Sequence, residues 1–432
     1  MEQRVWNVSR LATVARSLLL CSGLSLGFLQ ASAAVALEGK VPAHDRLEAR
    51  QGEYVLGRAL RDFYDTVFVL TAPGASAPRV VTIDELADTL QSYDVIFFGE
   101  IHGHPGVHLQ QLKLLQALEE RDPHLVLSLE QFERDVQGVV DDYLAGRIGE
   151  RTLITRGRAW ENYLSSYRPL VLYARDHGLP VIAAEAPGWS ISCIGQYGAD
   201  ILGQFTPEER AWVARELHVT PGAYRDKFRQ FQSANPNHGG AGASSPEAQR
   251  KSERGFTAQV ARDDTMAESI FLARLKYPGR RILQLNGNFH SEGFLGTAER
   301  LRMRDPSVRI AVIDPIEVDD VHAPAFAAEQ RNAGTVLQLV YPTPAEFVEN
   351  EDQNDWVRSI MAKRKATVCK YALPSLDESK GAAPSPVPAA APAPAPAGAS
   401  TETSTAVSAV TSPGAPAGVA AGGVAAAAAG NR

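Results

Sequence analysis

The sequence Val95-Ile96-Phe97-Phe98-Gly99-Glu100-Ile101-His102 joins an apolar run to a turn that carries glycine, glutamate and histidine. Four consecutive apolar residues predict a strand buried on both faces, as in a parallel sheet that helices cover on both sides. Comparable apolar runs recur at 125–127, 181–184, 281–285, 310–313 and 336–340. These runs are therefore candidate strands of one buried sheet.

The segments between these runs have helical periodicity. Leucines spaced by three residues form one apolar stripe over 109–118, and a helix predicted over 170–177 ends at Gly178. Alternating strands and helices predict an α/β fold, with a largely parallel sheet flanked by helices. The aromatic-rich region 205–231 predicts a helical cap, and the Gly/Ser-rich region 235–255 predicts a flexible insertion.

The two ends of the chain differ from its middle. Arginines, an apolar run and small residues of the A-x-A kind follow one another, which predicts a signal peptide at 1–36. Leu20 precedes Cys21 where a lipoprotein site has a small residue, so membrane attachment is not expected. The sequence thus predicts a periplasmic or secreted protein, with an outer-membrane lipoprotein as the less favoured alternative.

The folded domain is predicted over 41–370. The Ala/Pro-rich composition of residues 374–432 offers too little apolar surface to fold, which predicts a disordered tail. The chain has 43 basic and 50 acidic side chains and a net charge of −7, so nucleic acid is not an expected partner. Cys193 and Cys369 remain after the signal peptide, and the sequence is compatible with either a disulfide or two buried thiols.

Polar side chains follow the predicted strands. Glu100 and His102 follow the first strand, Glu130 the second, Glu185 the third and His290 the fourth. Because the carboxyl ends of parallel strands share one edge, where ligands bind, we expect these side chains to converge. Such side chains can ligate a divalent metal, with Glu100, His102, Glu130 and His290 as candidates. They can also act as general acid and base, with Glu100, His102 and His290 as the catalytic candidates.

A second group, Trp160, Tyr163, Tyr167 and Arg168, combines aromatic rings with a basic side chain. This aromatic cluster can hold a flat ligand, with a tyrosine oxygen on its iron, or can pack in the core, which residue type alone favours. The sequence contains no G-x-S-x-G, Walker, H-E-x-x-H or C-x-x-C motif. It therefore does not favour serine hydrolases, P-loop enzymes, zincins or thioredoxin-like proteins.

Four ordered motifs resemble those of the ChaN family, haem-binding envelope proteins whose superfamily includes Tiki-type metalloproteases and erythromycin esterases. They are Gly99-Glu100-Ile101-His102 with His108, Glu130-Gln131-Phe132-Glu133-Arg134-Asp135, Tyr167-Arg168-Pro169-Leu170 and Gly287-Asn288-Phe289-His290. The resemblance covers about residues 93–301. Ile101 departs from it, since the family usually has glutamine there.

The resemblance implies a haem-binding protein of iron or haem uptake in the bacterial envelope, with haem as cofactor and a homodimer as one possible assembly. It implies that Tyr167 reaches the haem iron, with Tyr163 behind it and Trp160 and Arg168 beside it. The alternative implied by the hydrolytic relatives is a metal-dependent or Glu/His hydrolase that uses the strand-end residues.

Overall fold

The computed structural model describes residues 45–71, 77–234, 245–345, 347–349, 351–356, 358–359 and 369–371. The predicted signal peptide with Cys21 and the predicted tail at 374–432 lie outside these residues. Within the part of the chain that the structure describes, no helix is long and apolar enough to cross a membrane.

The strands form two sheets. The strands of the main sheet are β3 (Val67–Leu70), β4 (Arg79–Val81), β5 (Val95–Glu100), β6 (Leu125–Glu133), β7 (Val181–Glu185), β8 (Arg281–Gly287), β9 (Ile310–Glu317) and β11 (Val336–Val340). Three short antiparallel strands, β1 (Leu47–Arg50), β2 (Glu53–Leu56) and β10 (Ala325–Ala327), form the small sheet.

The spatial order of the main sheet is β4-β3-β11-β9-β5-β8-β6-β7. The strands from β11 to β7 are parallel to one another, whereas β3 and β4 pair antiparallel at one edge. The sequence did not predict this antiparallel edge, because an apolar run indicates burial and says nothing about strand direction. The predicted strands that begin at Val95, Leu125, Val181, Arg281, Ile310 and Val336 are all present.

Helices pack on both faces of the main sheet. They are α1 (Ile83–Leu90), α2 (Pro105–Arg121), α3 (Gln137–Leu144), α4 (Glu150–Arg156), α5 (Arg168–Asp176), α6 (Gly188–Tyr197), α7 (Pro207–Ala211), α8 (Ala223–Ala234), α9 (Pro246–Lys276) and α10 (Gly296–Arg304). Ile96 and Phe98 of β5 belong to the core cluster that includes α1, α2 and α5. The alternate residues Val95 and Phe97 belong to the cluster that includes α9 and α10. A strand covered on both faces must be apolar throughout, which confirms the predicted α/β fold.

The predicted cap and insertion differ in part from the structure. In the region 205–231 the helices α7 and α8 are separated by an irregular segment, because backbone N–H groups there bond to buried side chains of α9. Examples are Ala214 to the hydroxyl of Thr265 and His218 to the carboxylate of Asp264. Of the predicted flexible insertion at 235–255, residues 235–244 lie outside the described residues, and residues 246–255 form the first turns of α9. Ser245 caps α9, and proline at the first helical position favours the helix start.

A disulfide joins Cys193 of α6 to Cys369, with Cα atoms 4.9 Å apart. The two thiols that the sequence left undecided are therefore paired. Both cysteines lie in an apolar cluster with Ile194 and Phe205. The bond fixes residues 369–371 against the helices that follow β7.

Candidate functional site

The carboxyl ends of β5, β8 and β6 lie side by side, because β8 sits between the other two strands. Glu100 ends β5, Glu130 lies near the end of β6, and Gly287 ends β8. The short helical turn Asn288–His290 follows β8 directly and places His290 at the same edge. Three of the strands predicted from apolar runs thus bring their polar ends together, as the parallel topology requires.

Glu100 is the centre of a buried hydrogen-bond network. Its side chain is inaccessible to solvent, and its Oε1 accepts bonds from His102 Nδ1 at 2.8 Å and from the Tyr167 hydroxyl at 2.5 Å. Gln131 Nε2 donates to the same oxygen at 3.1 Å, and Gln111 Nε2 donates to Oε2 at 2.9 Å. Glu100 and His102 form the first carboxylate–imidazole pair of the site.

The charge state of Glu100 follows from these contacts. Burial by itself would raise the pKa of the carboxyl group, but the hydrogen bond from His102 and the charge of His108 together hold that pKa below its ordinary value. His108 Nδ1 lies 3.8 Å from Glu100 Oε2. Glu100 is therefore ionised, and its neighbours donate to a charged acceptor.

His102 is the exposed member of the first pair, with 48% of its side chain accessible to solvent. Its ring meets the edge of Trp160 at a centroid distance of 5.0 Å. Burial by itself would lower the pKa of His102, but its bond to Glu100 and the charge of Glu130 raise it above the ordinary value. An imidazole whose pKa is raised thus lies against an aromatic ring and faces solvent at the sheet edge.

Gly287 leaves room for the imidazole of His102. A Cβ atom at position 287 would lie 2.8 Å from His102 Nε2 and 2.9 Å from Cε1, closer than real atoms approach. In Gly287→Ala the ring must shift, which weakens its bond to Glu100. We expect the pKa of His102 to fall, measured by NMR titration, and the free energy of unfolding to drop by about 1 to 2 kcal/mol.

Gly138→Ala is the matched control for this substitution, since a Cβ at position 138 meets nothing within 4 Å. It should leave the titration of His102 unchanged. An unchanged titration of His102 in Gly287→Ala as well would show that the close approach does not position the imidazole.

A second carboxylate–imidazole pair lies beside the first. His290 Nδ1 is 2.8 Å from Oδ1 of Asp263, a fully buried residue of α9. Asp263 also accepts bonds from the hydroxyl of Tyr224 at 2.5 Å and from the hydroxyl of Thr297 at 2.9 Å. The cap thus contributes to the site, because Tyr224 belongs to α8.

The two partners of this pair stabilise each other's charge. Burial by itself would lower the pKa of His290, but the charges of Asp263 and Glu130 raise it to about 9. Burial would likewise raise the pKa of Asp263, but the charge of His290 and its hydrogen bond lower it. At neutral pH the second pair is an imidazolium with a carboxylate.

Glu130 lies between the two pairs. Its Oε2 accepts the backbone N–H of Gly287 at 2.7 Å, and its Oε1 lies 3.6 Å from His290 Nε2. Glu185, which the sequence placed at the same edge, is buried and paired with Arg262 at 2.8 Å. Burial raises the pKa of Glu185, and the charge of Arg262 opposes the rise.

Only two of the four residues of the predicted aromatic cluster lie at the site. Tyr167 and Trp160 join the site, with Tyr167 fully buried beneath it. Tyr163 packs in the core against Phe132, at a ring distance of 6.1 Å. Arg168 bonds to Glu150 of α4 at 2.7 Å and 2.9 Å. The structure gives these last two residues other partners, so their predicted place at a ligand is not confirmed.

The predicted metal centre is not supported either. Across the described residues, no group of three or more His, Cys, Asp or Glu side chains has the arrangement to hold a metal ion. Of the four candidate ligands, Glu100 already accepts bonds from Gln111, Gln131, His102 and Tyr167. The described residues therefore give no support to a divalent metal at this edge.

Sequence reasoning gave no role to Asp263, Gln111 or Tyr224. Gln111 is a polar residue between Val107 and Leu114, at the helical spacing of the residues that α2 buries, a signal that could have marked it. Asp263 sits in the same way among the buried residues of α9. Tyr224 gave no such signal, because its contact with Asp263 depends on how α8 packs.

The comparisons with known proteins concern this same region. A family model described as haem-binding uptake, Tiki superfamily, ChaN matches residues 86–301. The match spans both carboxylate–imidazole pairs, Glu130 and the aromatic cluster. No curated protein sequence matches the chain.

Several solved structures resemble the chain. ChaN of Campylobacter jejuni, in a structure of cofacial haem binding, is 15% identical, with 64% of this chain and 98% of that chain covered and a TM-score of 0.46. A Bacillus cereus protein is 12% identical, with 63% and 93% covered and a TM-score of 0.36. An erythromycin esterase in its open conformation is 12% identical, with 64% and 82% covered and a TM-score of 0.33.

Proposed function

The chain belongs to the haem-binding uptake family of the Tiki superfamily, ChaN, and from this premise we propose that it binds haem at the carboxyl edge of its sheet. The observation that carries the proposal is the exposed imidazole of His102 against Trp160, within the residues that the family model matches. Haem is a flat apolar macrocycle, and its iron takes histidine or tyrosine as a ligand.

The residues at this edge fit such a group. Trp160 and His102 offer ring surfaces, and Phe289 extends the aromatic surface on the side of His290, at a ring distance of 6.5 Å. Phe231 of α8 lies against Phe289 and is 52% exposed. When bound, haem would supply an iron centre, and the protein would supply an apolar wall and one donor atom.

The iron ligand would come from His102 or Tyr167. His102 is the reachable donor, whereas the Tyr167 hydroxyl is buried and donates to Glu100. Burial and the charge of Glu100 raise the pKa of Tyr167, which disfavours the phenolate that iron binds. Tyr167 would therefore act as ligand only after its bond to Glu100 opens.

A haemin titration tests the proposal. The full chain should give a saturable change in the Soret absorption at micromolar haemin, and the double variant His102→Ala/Tyr167→Phe should lose it. The two single variants assign the ligand. His322→Ala, which removes an exposed histidine, is the control and should titrate like the parent. A parent chain without a saturable change, or a double variant that titrates like the parent, would contradict haem binding.

We further propose that the protein works in the cell envelope, in iron or haem uptake, after export. The Cys193–Cys369 disulfide supports export, because such bonds persist in oxidising compartments. Expression of the full chain, cell fractionation and mass spectrometry of the product test this. Mature protein in the periplasm or medium, cut after Ala33 or Ala36, is the expected result. An uncut chain in the cytoplasm would contradict it.

A second candidate function is hydrolysis by acid–base catalysis, which the two carboxylate–imidazole pairs on either side of Glu130 favour. The pKa of His290 is raised to about 9, so at neutral pH this imidazole is suited to donate a proton rather than accept one. The pKa of His102 is raised as well. A panel of ester and amide substrates should then be cleaved by the parent and not by His102→Ala. No cleavage by the parent would exclude this candidate.

A further inference from the structure

A cavity lies at the edge of the main sheet opposite to the candidate site, where the parallel strands begin. Its volume is about 170 Å³, and its lining includes Tyr93, Asp94 and four arginines, Arg274, Arg280, Arg281 and Arg309. We call it the arginine pocket. It is formed by different residues from the two carboxylate–imidazole pairs, so no argument about it depends on haem binding.

The topology explains why so many cations meet at this edge. Asp94 precedes β5, Arg281 begins β8 and Arg309 precedes β9, and these three strands are neighbours. Because the strands are parallel, their first residues lie in one row. Arg274 near the end of α9 and Arg280 in the turn before β8 complete the group.

Three of the arginines have acidic partners. Arg309 bonds to Asp94 at 2.6 Å and 3.1 Å. Arg274 pairs with Asp305 at 3.1 Å, and Arg281 pairs with Asp122 at 3.2 Å. Three carboxylates therefore face four guanidinium groups, and the arginine pocket has an excess of positive charge.

Of the four arginines of the pocket, Arg280 has no acidic partner among the described residues. Its guanidinium lies 5.5 Å from the ring centre of Tyr277, its one recorded side-chain contact. Ion pairs that only stabilise the sheet edge would explain the presence of Arg274, Arg281 and Arg309, but they would not explain the presence of Arg280. An arginine has five N–H donors, and those of Arg280 remain available to a ligand.

We propose that the arginine pocket binds a small phosphate-bearing molecule. A phosphate group presents oxygens in several directions and can accept bonds from Arg280 and from the remaining donors of Arg309 together. Its second negative charge suits a site where more than one arginine is present. The donors described are those that one phosphate group would use, so the ligand proposed is phosphate itself or a small phosphate ester.

The test uses the purified full chain and two probes, inorganic phosphate and glycerol 3-phosphate, at constant ionic strength. We expect a saturable rise in Tm and saturable binding by calorimetry with at least one probe. The probe that binds more strongly shows whether the ligand is free phosphate or a phosphate ester. Succinate, a dicarboxylate of similar size, should bind more weakly.

Arg280→Gln is the decisive variant, since it leaves the three ion pairs in place. It should weaken phosphate binding by about tenfold or more, as expected for a charge-assisted hydrogen bond. Arg151→Gln removes the same charge from an exposed position on α4 and should bind like the parent. The proposal is overturned if the parent does not bind either probe, if succinate binds as well, or if both variants lose binding equally.

Discussion

Replacing Glu100 by alanine is expected to lower the free energy of unfolding by about 3 to 5 kcal/mol, because the change removes the acceptor at the centre of a buried network. The donors of Tyr167, Gln131 and Gln111 then have no partner in the structure. A buried donor that loses its acceptor retains its full desolvation penalty. Urea unfolding at pH 7 measures the effect.

Two milder variants remove fewer hydrogen bonds of Glu100, and they remain informative if Glu100→Ala does not fold. Glu100→Gln keeps the shape but replaces one acceptor oxygen with a donor, and we expect about half of the loss. Tyr167→Phe removes a single donor and leaves the other bonds of Glu100 intact, so a loss of about 1 to 2 kcal/mol is expected. The loss of stability should rise from Tyr167→Phe to Glu100→Gln to Glu100→Ala, in the order of the number of hydrogen bonds that each variant removes from Glu100.

Glu317→Ala is the matched control, since Glu317 also lies at the end of a strand but is exposed. Its hydrogen bonds go to the backbone and side chain of Thr343, at 2.8 Å and 2.6 Å, in contact with water. Its removal should change stability by less than about 1 kcal/mol. If Glu100→Ala were no more destabilising than Glu317→Ala, the buried network would not be a stabilising element.

The parts of the fold that the sequence predicted are those governed by local pattern. The run Val95–Phe98 favours a strand covered on both faces, and β5 is such a strand. The antiparallel strand β3 is equally apolar, but its direction depends on its pairing with β11. In that pairing Leu70 lies opposite Val336, which is 266 positions later in the chain. Pairing over such a separation leaves no local signal.

The residues of the candidate site likewise differ in whether a local pattern predicts them. Glu100, Glu130 and His290 follow apolar runs, so parallel topology sufficed to predict that they meet. Asp263 lies in the middle of a helix, and its contact with His290 depends on where α9 crosses the sheet. Tyr167 was expected at a ligand, but the packing of the turn before α5 buries its hydroxyl against Glu100.

The second large effect is a loss of stability at alkaline pH, caused by His290. The pKa of His290 is raised to about 9 in the folded chain, against an ordinary value of about 6.5 for an unfolded chain. The folded state therefore holds a proton that the unfolded state releases. The resulting stabilisation is fully present below pH 6.5 and is lost as the pH rises through about 9.

A shift of this size corresponds to a stabilisation on the order of 3 kcal/mol. His290 is buried, so screening by solvent reduces the effect little. We expect the free energy of unfolding, measured by urea titration, to fall by this order between pH 6.5 and 9.5. Part of the fall comes from His102, whose pKa is also raised.

His290→Gln isolates the contribution of the second pair. The glutamine can still bond to Asp263 but carries no charge, so the variant should be less stable at pH 6.5 and its stability should fall less steeply toward pH 9.5. His322→Gln removes an exposed histidine and should retain the slope of the parent. Equal slopes in the parent and in His290→Gln would contradict a protonated His290. A reduced slope would establish that the Asp263–His290 pair is ionic at neutral pH, as a proton donor at this edge must be.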